Sequence, residues 1–167
     1  SKNARVLAVI GSVNPVTADQ VQELKRCLKP DTVLVNTHAL LNEETYKDEV
    51  ERVIKQCDLA GQPLTLVVGD GISPDRRLDS AAFEHYNGSF AGVIQRINEG
   101  FAEIGCKLLA SAGSVTGLLT SGGDITLALY EKLAVESILL EREVAPLAAG
   151  GCLQGGPFDG LKVVTKG

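Results

Sequence analysis

Runs of aliphatic residues alternate along this chain with stretches in which apolar positions recur every three or four residues. Val6, Leu7, Ala8, Val9 and Ile10 form a near-continuous run ending at Gly11, the pattern of a strand buried on both faces of a parallel sheet. Residues 32–36, 64–68, 116–120, 137–140 and 161–165 repeat that pattern and read as further strands. Between them the period becomes helical. Thr17 and Gln20 fit a capping box, after which Val21, Leu24 and Leu28 make an apolar stripe that stops at Pro30. Tyr46, Val50, Val53, Ile54 and Cys57 line a second helix. Phe90, Ile94, Ile97, Phe101, Ile104 and Leu108 line a long third one, and Ile125, Leu129 and Leu133 a fourth.

Strands that alternate with helices throughout predict an α/β fold: a doubly wound, mostly parallel sheet with helices on both faces, three-layered and Rossmann-like. Residues 145–160 are rich in Gly and Pro and read as an irregular or hairpin-like connection. No internal repeat or low-complexity tract interrupts the pattern.

Composition narrows the picture. With 167 residues, 44% of them hydrophobic and 4% aromatic, the chain has room for one domain with an aliphatic core. Its 16 basic and 21 acidic side chains leave a net charge of −5, so neither nucleic acid nor an anionic membrane is attracted in general. An anionic ligand must then be held by a local device. No apolar run approaches the roughly 20 residues that span a bilayer, and the first residues lack a signal-peptide core, so a cytoplasmic protein is expected. The chain contains no methionine, which points to a piece excised from a longer protein. Cys27, Cys57, Cys106 and Cys152 stand far apart without metal-ligand spacing, and three of them fall on the apolar side of predicted helices. They read as buried, reduced thiols. His38 and His85 each lack a plausible triad partner.

In an open α/β sheet, ligands bind beyond the carboxyl ends of the strands, where helix N-termini present free N–H groups. Two loops occupy that position: Gly11 to Thr17, and Ser121 to Asp124. Glycine lets an anion approach the backbone, and the hydroxyl of Ser12 or Thr17 adds a donor, so either loop can hold a phosphate. Each also fits a plain strand-to-helix turn. Asp124 reads as a helix N-cap and also as a group that could hold magnesium against nucleotide phosphates. Asp70, between Gly69 and Gly71, admits a ligand role but reads first as a turn residue. No G-x-x-x-x-G-K-[ST] or G-x-S-x-G occurs, and the nearest approach to G-x-G-x-x-G meets Pro74 where its last glycine belongs.

With both loops in place, the chain resembles the C-terminal, nucleotide-binding domain of the four-carbon acid sugar kinase family. The resemblance rests on Gly11-Ser12 with Pro15, Thr17 and Gln20 behind it, on Gly122-Gly123-Asp124, and on the segment from Gly156 to Gly167. It implies that residues 1–167 are the C-terminal part of a two-domain kinase that binds ATP with Mg2+. Phosphoryl transfer to a four-carbon acid sugar of the 3-oxo-tetronate type would then run across the cleft to an N-terminal domain, without which the piece is inactive. Carried over residue by residue, Gly11, Ser12 and Thr17 fall on the first nucleotide loop, and Gly122, Gly123, Asp124 and Ile125 on a Gly-Gly-acidic-Thr loop. Lys166 and Gly167 match the opening of a terminal Lys-x-Gly-Gly-Phe-Gly segment. Ile125 departs from the pattern, which has a hydroxyl residue there. No catalytic residue is assigned within the chain, and the metal ligands stay open. The rival reading is a noncatalytic α/β module that holds a phosphorylated metabolite; an NAD oxidoreductase trails both, because its fingerprint fails.

Overall fold

The computed structural model describes residues 4–85, 89–111 and 115–167. Residues 1–3 and the His85 side chain lie outside that description, and so do the readings made of them. Among the described residues seven strands form one sheet: β1 (Val6–Ile10), β2 (Asp31–Val35), β3 (Leu64–Gly69), β4 (Gly117–Ser121), β5 (Ser137–Ala145), β6 (Ala148–Gln154) and β7 (Lys162–Lys166). Their order is β2-β3-β1-β4-β7-β6-β5, parallel from β2 to β7 and antiparallel at the β7-β6 and β6-β5 pairs. Among the described residues six α-helices accompany them: α1 (Pro15–Leu28), α2 (Thr37–Leu41), α3 (Glu43–Gln56), α4 (Ser80–His85), α5 (Phe90–Ser111) and α6 (Gly123–Lys132). The expected α/β class and three-layer arrangement are what the chain adopts.

Alternation along β1 decides which helix goes where. Leu7 and Val9 point to the face covered by α2, α3, α5 and α6, and join the larger core with Val35, Leu40, Phe101, Ile104 and Leu129. Ala8 and Ile10 point the other way and meet Val21 of α1, together with Leu66 and Val68 of β3. All four β1 side chains are buried, so the strand needs cover on both sides. The chain leaves β1 by α1 on one face and leaves β4, its neighbour in the sheet, by α6 on the other. Helices that diverge from adjacent strands open a crevice above their carboxyl ends.

Several local expectations change. Helix α1 starts at Pro15, two residues before the capping box, because Asn14 is the N-cap and its Oδ1 accepts from Val16 N at 2.8 Å. Thr17 is thereby turned inward and buried. Leu28, at the end of the stripe, is exposed, since the apolar face of α1 covers the sheet only as far as Leu24. The short α2 is an addition to the elements expected from periodicity, started by Asn36, whose Oδ1 accepts from Ala39 N at 3.2 Å. Residues 145–160 contain a full strand, β6, whose Gly150 and Gly151 hide the usual β signature in a glycine-rich segment. Cys27 is exposed on α1 rather than buried, while Cys57, Cys106 and Cys152 are half-buried, and all four are free thiols.

Strand β5 closes the sheet as an exposed edge, with Leu139, Leu140 and Val144 open to solvent and Leu147 in the turn beyond. Its pairing with β6 shifts register twice, between Leu140 and Arg142 and between Glu143 and Ala145. No described helix is long and apolar enough to cross a membrane.

Burial pushes the Cys57 thiol up to about 12, with the Asp31 carboxylate adding to the effect. A disulfide reagent at mildly alkaline pH is therefore expected to label Cys27 quickly and Cys57 much more slowly in the folded protein. Peptide mapping after a timed reaction checks this; equal rates at the two thiols would contradict the packing described.

Candidate functional site: a cleft above the carboxyl ends of the central strands

A cleft of about 440 Å³ opens above the carboxyl ends of β1, β3 and β4, between the first turn of α6 and the start of α5. Gly11, Ser12, Gly122, Gly123, Asp124 and Ile125, six of the eight residues singled out from sequence, line it together. Of the other two, Thr17 stands behind Ser12, and Gly167 lies at the end of β7, where its N–H donates to Leu147 O at 3.3 Å. The cleft size falls within the range of about 300–1,000 Å³ usual for small-molecule sites.

The two loops are locked side by side by the sheet. Gly11 N donates to Ser121 O at 3.1 Å, and Gly122 N donates to Lys166 O at 3.1 Å. Gly11 leaves no room for a side chain, because a Cβ there would stand 1.6 Å from Ile125 Cδ1. Ile125 is buried and belongs to the core, so it closes the cleft floor. The nearby hydroxyl of Thr126 is directed inward, donating to Thr120 Oγ1 at 2.7 Å, close to Gly122 O at 2.9 Å.

Ser12 is arranged as an outward donor. Its Oγ accepts from Asn14 N and from the Thr17 hydroxyl, both at 3.2 Å, which leaves its own proton free. Across from it, Gly122 has φ 109°, a conformation that favours glycine, and is the N-cap of α6 without any side-chain capping bond. Asp124 therefore is not the cap; it stands exposed in the first turn of α6. That turn offers its backbone N–H groups and positive dipole end to the cleft. A Cβ added at Gly123 would meet nothing within 4 Å, so the space above it is open.

The opposite wall is apolar, and most of its side chains come from the stripe of α5. Phe83, Phe90, Ile94, Ile97 and Phe101 line it, with Asn98 as its one side-chain amide. The rings of Phe83 and Phe90 lie 5.1 Å apart at 44°, and Phe90 is 68% exposed although it opens the apolar stripe of α5. One wall thus suits an anion and the other a flat apolar ring.

Asp70 is no surface turn. It is buried, and its Oδ1 accepts from Thr37 N at 3.2 Å and from Thr37 Oγ1 at 2.7 Å. Its Oδ2 pairs with Arg76 at 3.0 Å, so the carboxylate is consumed in tying the end of β2 to the loop after β3. The next residue, Arg77, donates from Nη2 to Val13 O at 2.8 Å and from Nε to Gly71 O at 3.4 Å. It lines the cleft. The described residues hold no cluster of three or more metal-ligating side chains.

The contact of Gly11 with Ile125 generates a test. Gly11→Ala is expected to destabilise by about 1–3 kcal/mol through overpacking. Ile125→Ala should cost about 2–5 kcal/mol alone, while the double variant costs less than the sum. Urea unfolding of the four proteins measures the coupling; strict additivity would place the two residues out of contact.

The family model described as "Nucleotide-binding C-terminal domain" matches residues 7–167. The chain is 34% identical over 169 residues to a D-erythronate kinase of Heliobacterium modesticaldum, covering 99% of this chain and 38% of that protein. It is 26% identical over 162 residues to a D-threonate kinase of Salmonella typhimurium, covering 96% and 38%. It therefore spans about two-fifths of the length of these curated relatives. Among solved structures, a Bordetella bronchiseptica domain of unknown function (DUF1537), crystallised with bound citrate as a domain-swapped dimer, superposes with a TM-score of 0.73 at 21% identity, covering 98% of this chain and 37% of that one. A Haemophilus influenzae protein of the same designation gives 0.69 at 18% identity, covering 98% and 36%. These structural likenesses extend the α/β architecture to both proteins. The matched model, which takes in both glycine loops, and the two kinases that share the chain's length from end to end establish that the chain belongs to the nucleotide-binding C-terminal domain family of four-carbon acid sugar kinases.

Proposed function

We propose that the cleft binds ATP together with Mg2+, and that the chain is the nucleotide-binding part of a longer two-domain kinase. The kinase acts on a four-carbon acid sugar, a tetronate or its 3-oxo derivative. The observation that carries this reading is the two-sided cleft: backbone N–H groups of an uncapped helix on one wall, aromatic and aliphatic side chains on the other. The names of the relatives, D-erythronate kinase and D-threonate kinase, support the substrate class.

The chain's own groups have distinct tasks in this reading. The first turn of α6 and the Ser12 hydroxyl donate to phosphate oxygens, while Gly123, having no Cβ, leaves the space above the backbone open to them. The apolar wall of Phe83, Phe90 and Ile94 takes the purine ring and excludes water around it. Asp124 is the one carboxylate among the described cleft-lining residues, and fits a role in holding the metal, directly or through water. The bound nucleotide supplies the phosphoryl group. Positioning and charge neutralisation are the main demands of such a transfer, so a domain without an activated nucleophile can furnish half of the site. The acid sugar and the base that activates its hydroxyl belong to the other domain.

Isothermal titration with ADP and ATP, with and without magnesium, and with NAD as control tests this. Magnesium-dependent binding of adenine nucleotides and silence toward NAD is expected; binding of NAD in preference to ATP would defeat the proposal. Gly123→Val is the appropriate blocking variant, since φ 109° at Gly122 strains any side chain placed there. It should fold with an unchanged melting temperature and bind ATP at least about ten-fold more weakly, the loss of a charge-assisted hydrogen bond or more. Ser12→Ala should weaken binding by about 1 kcal/mol, one hydrogen bond.

A further inference from the structure

Resting on the nucleotide reading above, we infer that Arg77 is the cation of the cleft, a guanidinium held ready for a polyphosphate by the first glycine loop and the loop after β3. Arg76 and Arg77 are neighbours with opposite fates. Arg76 spends its charge on the buried carboxylate of Asp70. Arg77 takes part in none of the ion pairs formed among the described residues. Its two bonds go to backbone carbonyls, Val13 O at 2.8 Å and Gly71 O at 3.4 Å. Carbonyls fix the group in space without cancelling its charge.

The placement matters because of what surrounds it. Val13 follows Ser12 in the first loop, and Gly71 belongs to the loop after β3, so the guanidinium bridges the two segments that flank the cleft mouth. Among the described lining residues Arg77 carries the one positive charge and Asp124 on α6 the one negative charge. A chain with net charge −5 offers a polyanion no general attraction, so a local cation has to supply it. Of the five N–H donors of a guanidinium two are engaged, which leaves three, in a planar fork suited to phosphate oxygens. Arg77 thus supplies the charge that the backbone donors of α6 lack, and senses the number of phosphates rather than the base.

The alternative role is a staple that only joins two loops, and the experiment separates the two. Adenosine, AMP, ADP, ATP and inorganic tripolyphosphate are titrated into wild type, Arg77→Gln and Arg77→Lys at two salt concentrations. Wild type should bind more tightly with each added phosphate. Arg77→Gln should flatten that series, losing about ten-fold or more for ATP and tripolyphosphate while holding adenosine within about two-fold and weakening the salt dependence. Arg77→Lys should lie between, keeping the charge without the fork. Equal losses for adenosine and ATP, with a lowered melting temperature of the unliganded variant, would show a staple and overturn the inference. Unchanged ATP affinity would overturn it as well. Wild type that binds tripolyphosphate through Arg77 but no adenine nucleotide would keep the clamp and remove the nucleotide reading, and wild type that binds neither would remove both.

Discussion

A strand buried on both faces cannot be covered by consecutive helices on one side, and that constraint at β1 organises the rest of the molecule. Leu7 and Val9 demand one layer, Ala8 and Ile10 another, and all four are removed from water. The chain meets the demand by sending α1 to one face and α6, from the adjacent strand, to the other. The crevice between them follows from layer packing before any ligand is considered. Its floor is then set by one contact, the Ile125 side chain lying where Gly11 has none. Loop position and core packing are thus the same problem at this point.

Charge is distributed in the cleft with similar economy. Asp70 lies in a strand-end loop at which ligands are met in other α/β folds, yet it is sealed by Thr37 and Arg76 and serves the scaffold. That arrangement removes one carboxylate from the ligand's surroundings and leaves Asp124 as the acidic group there. The uncapped start of α6, the free proton of Ser12 and the carbonyl-anchored Arg77 all face the same space. Each group has its orientation fixed by bonds to the chain and not by a counter-charge, so little reorganisation is needed when an anion arrives.

How far the sequence showed this depended on the range of the interactions involved. The α5 stripe and the β1 run were legible because a helix or strand buried along its length writes its period into local order. The two glycine loops were legible for the same reason: a strand-to-helix turn is a short-range device. What stayed hidden depended on distant partners. Thr17 looked like a cap, and only the geometry of Asn14 shows that it braces Ser12 instead. Strand β6 was masked because Gly150 and Gly151 carry no β propensity, and pairing with β7 and β5 overrides composition. Arg77 has no local signature, since its meaning comes from Val13, 64 positions away in the chain.

The outer hairpin carries a consequence for the behaviour of the protein in concentrated solution. An exposed final strand with Leu139, Leu140 and Val144 on it is a template on which another strand can grow. Here the template is broken. Glu141, Arg142 and Glu143 place charge in its middle, and the two register shifts kink the backbone on either side of that charge. No stretch of β5 longer than a few residues offers both a straight ladder and an apolar face, so the hairpin keeps its leucines in water while resisting the edge-to-edge stacking that leads to fibres.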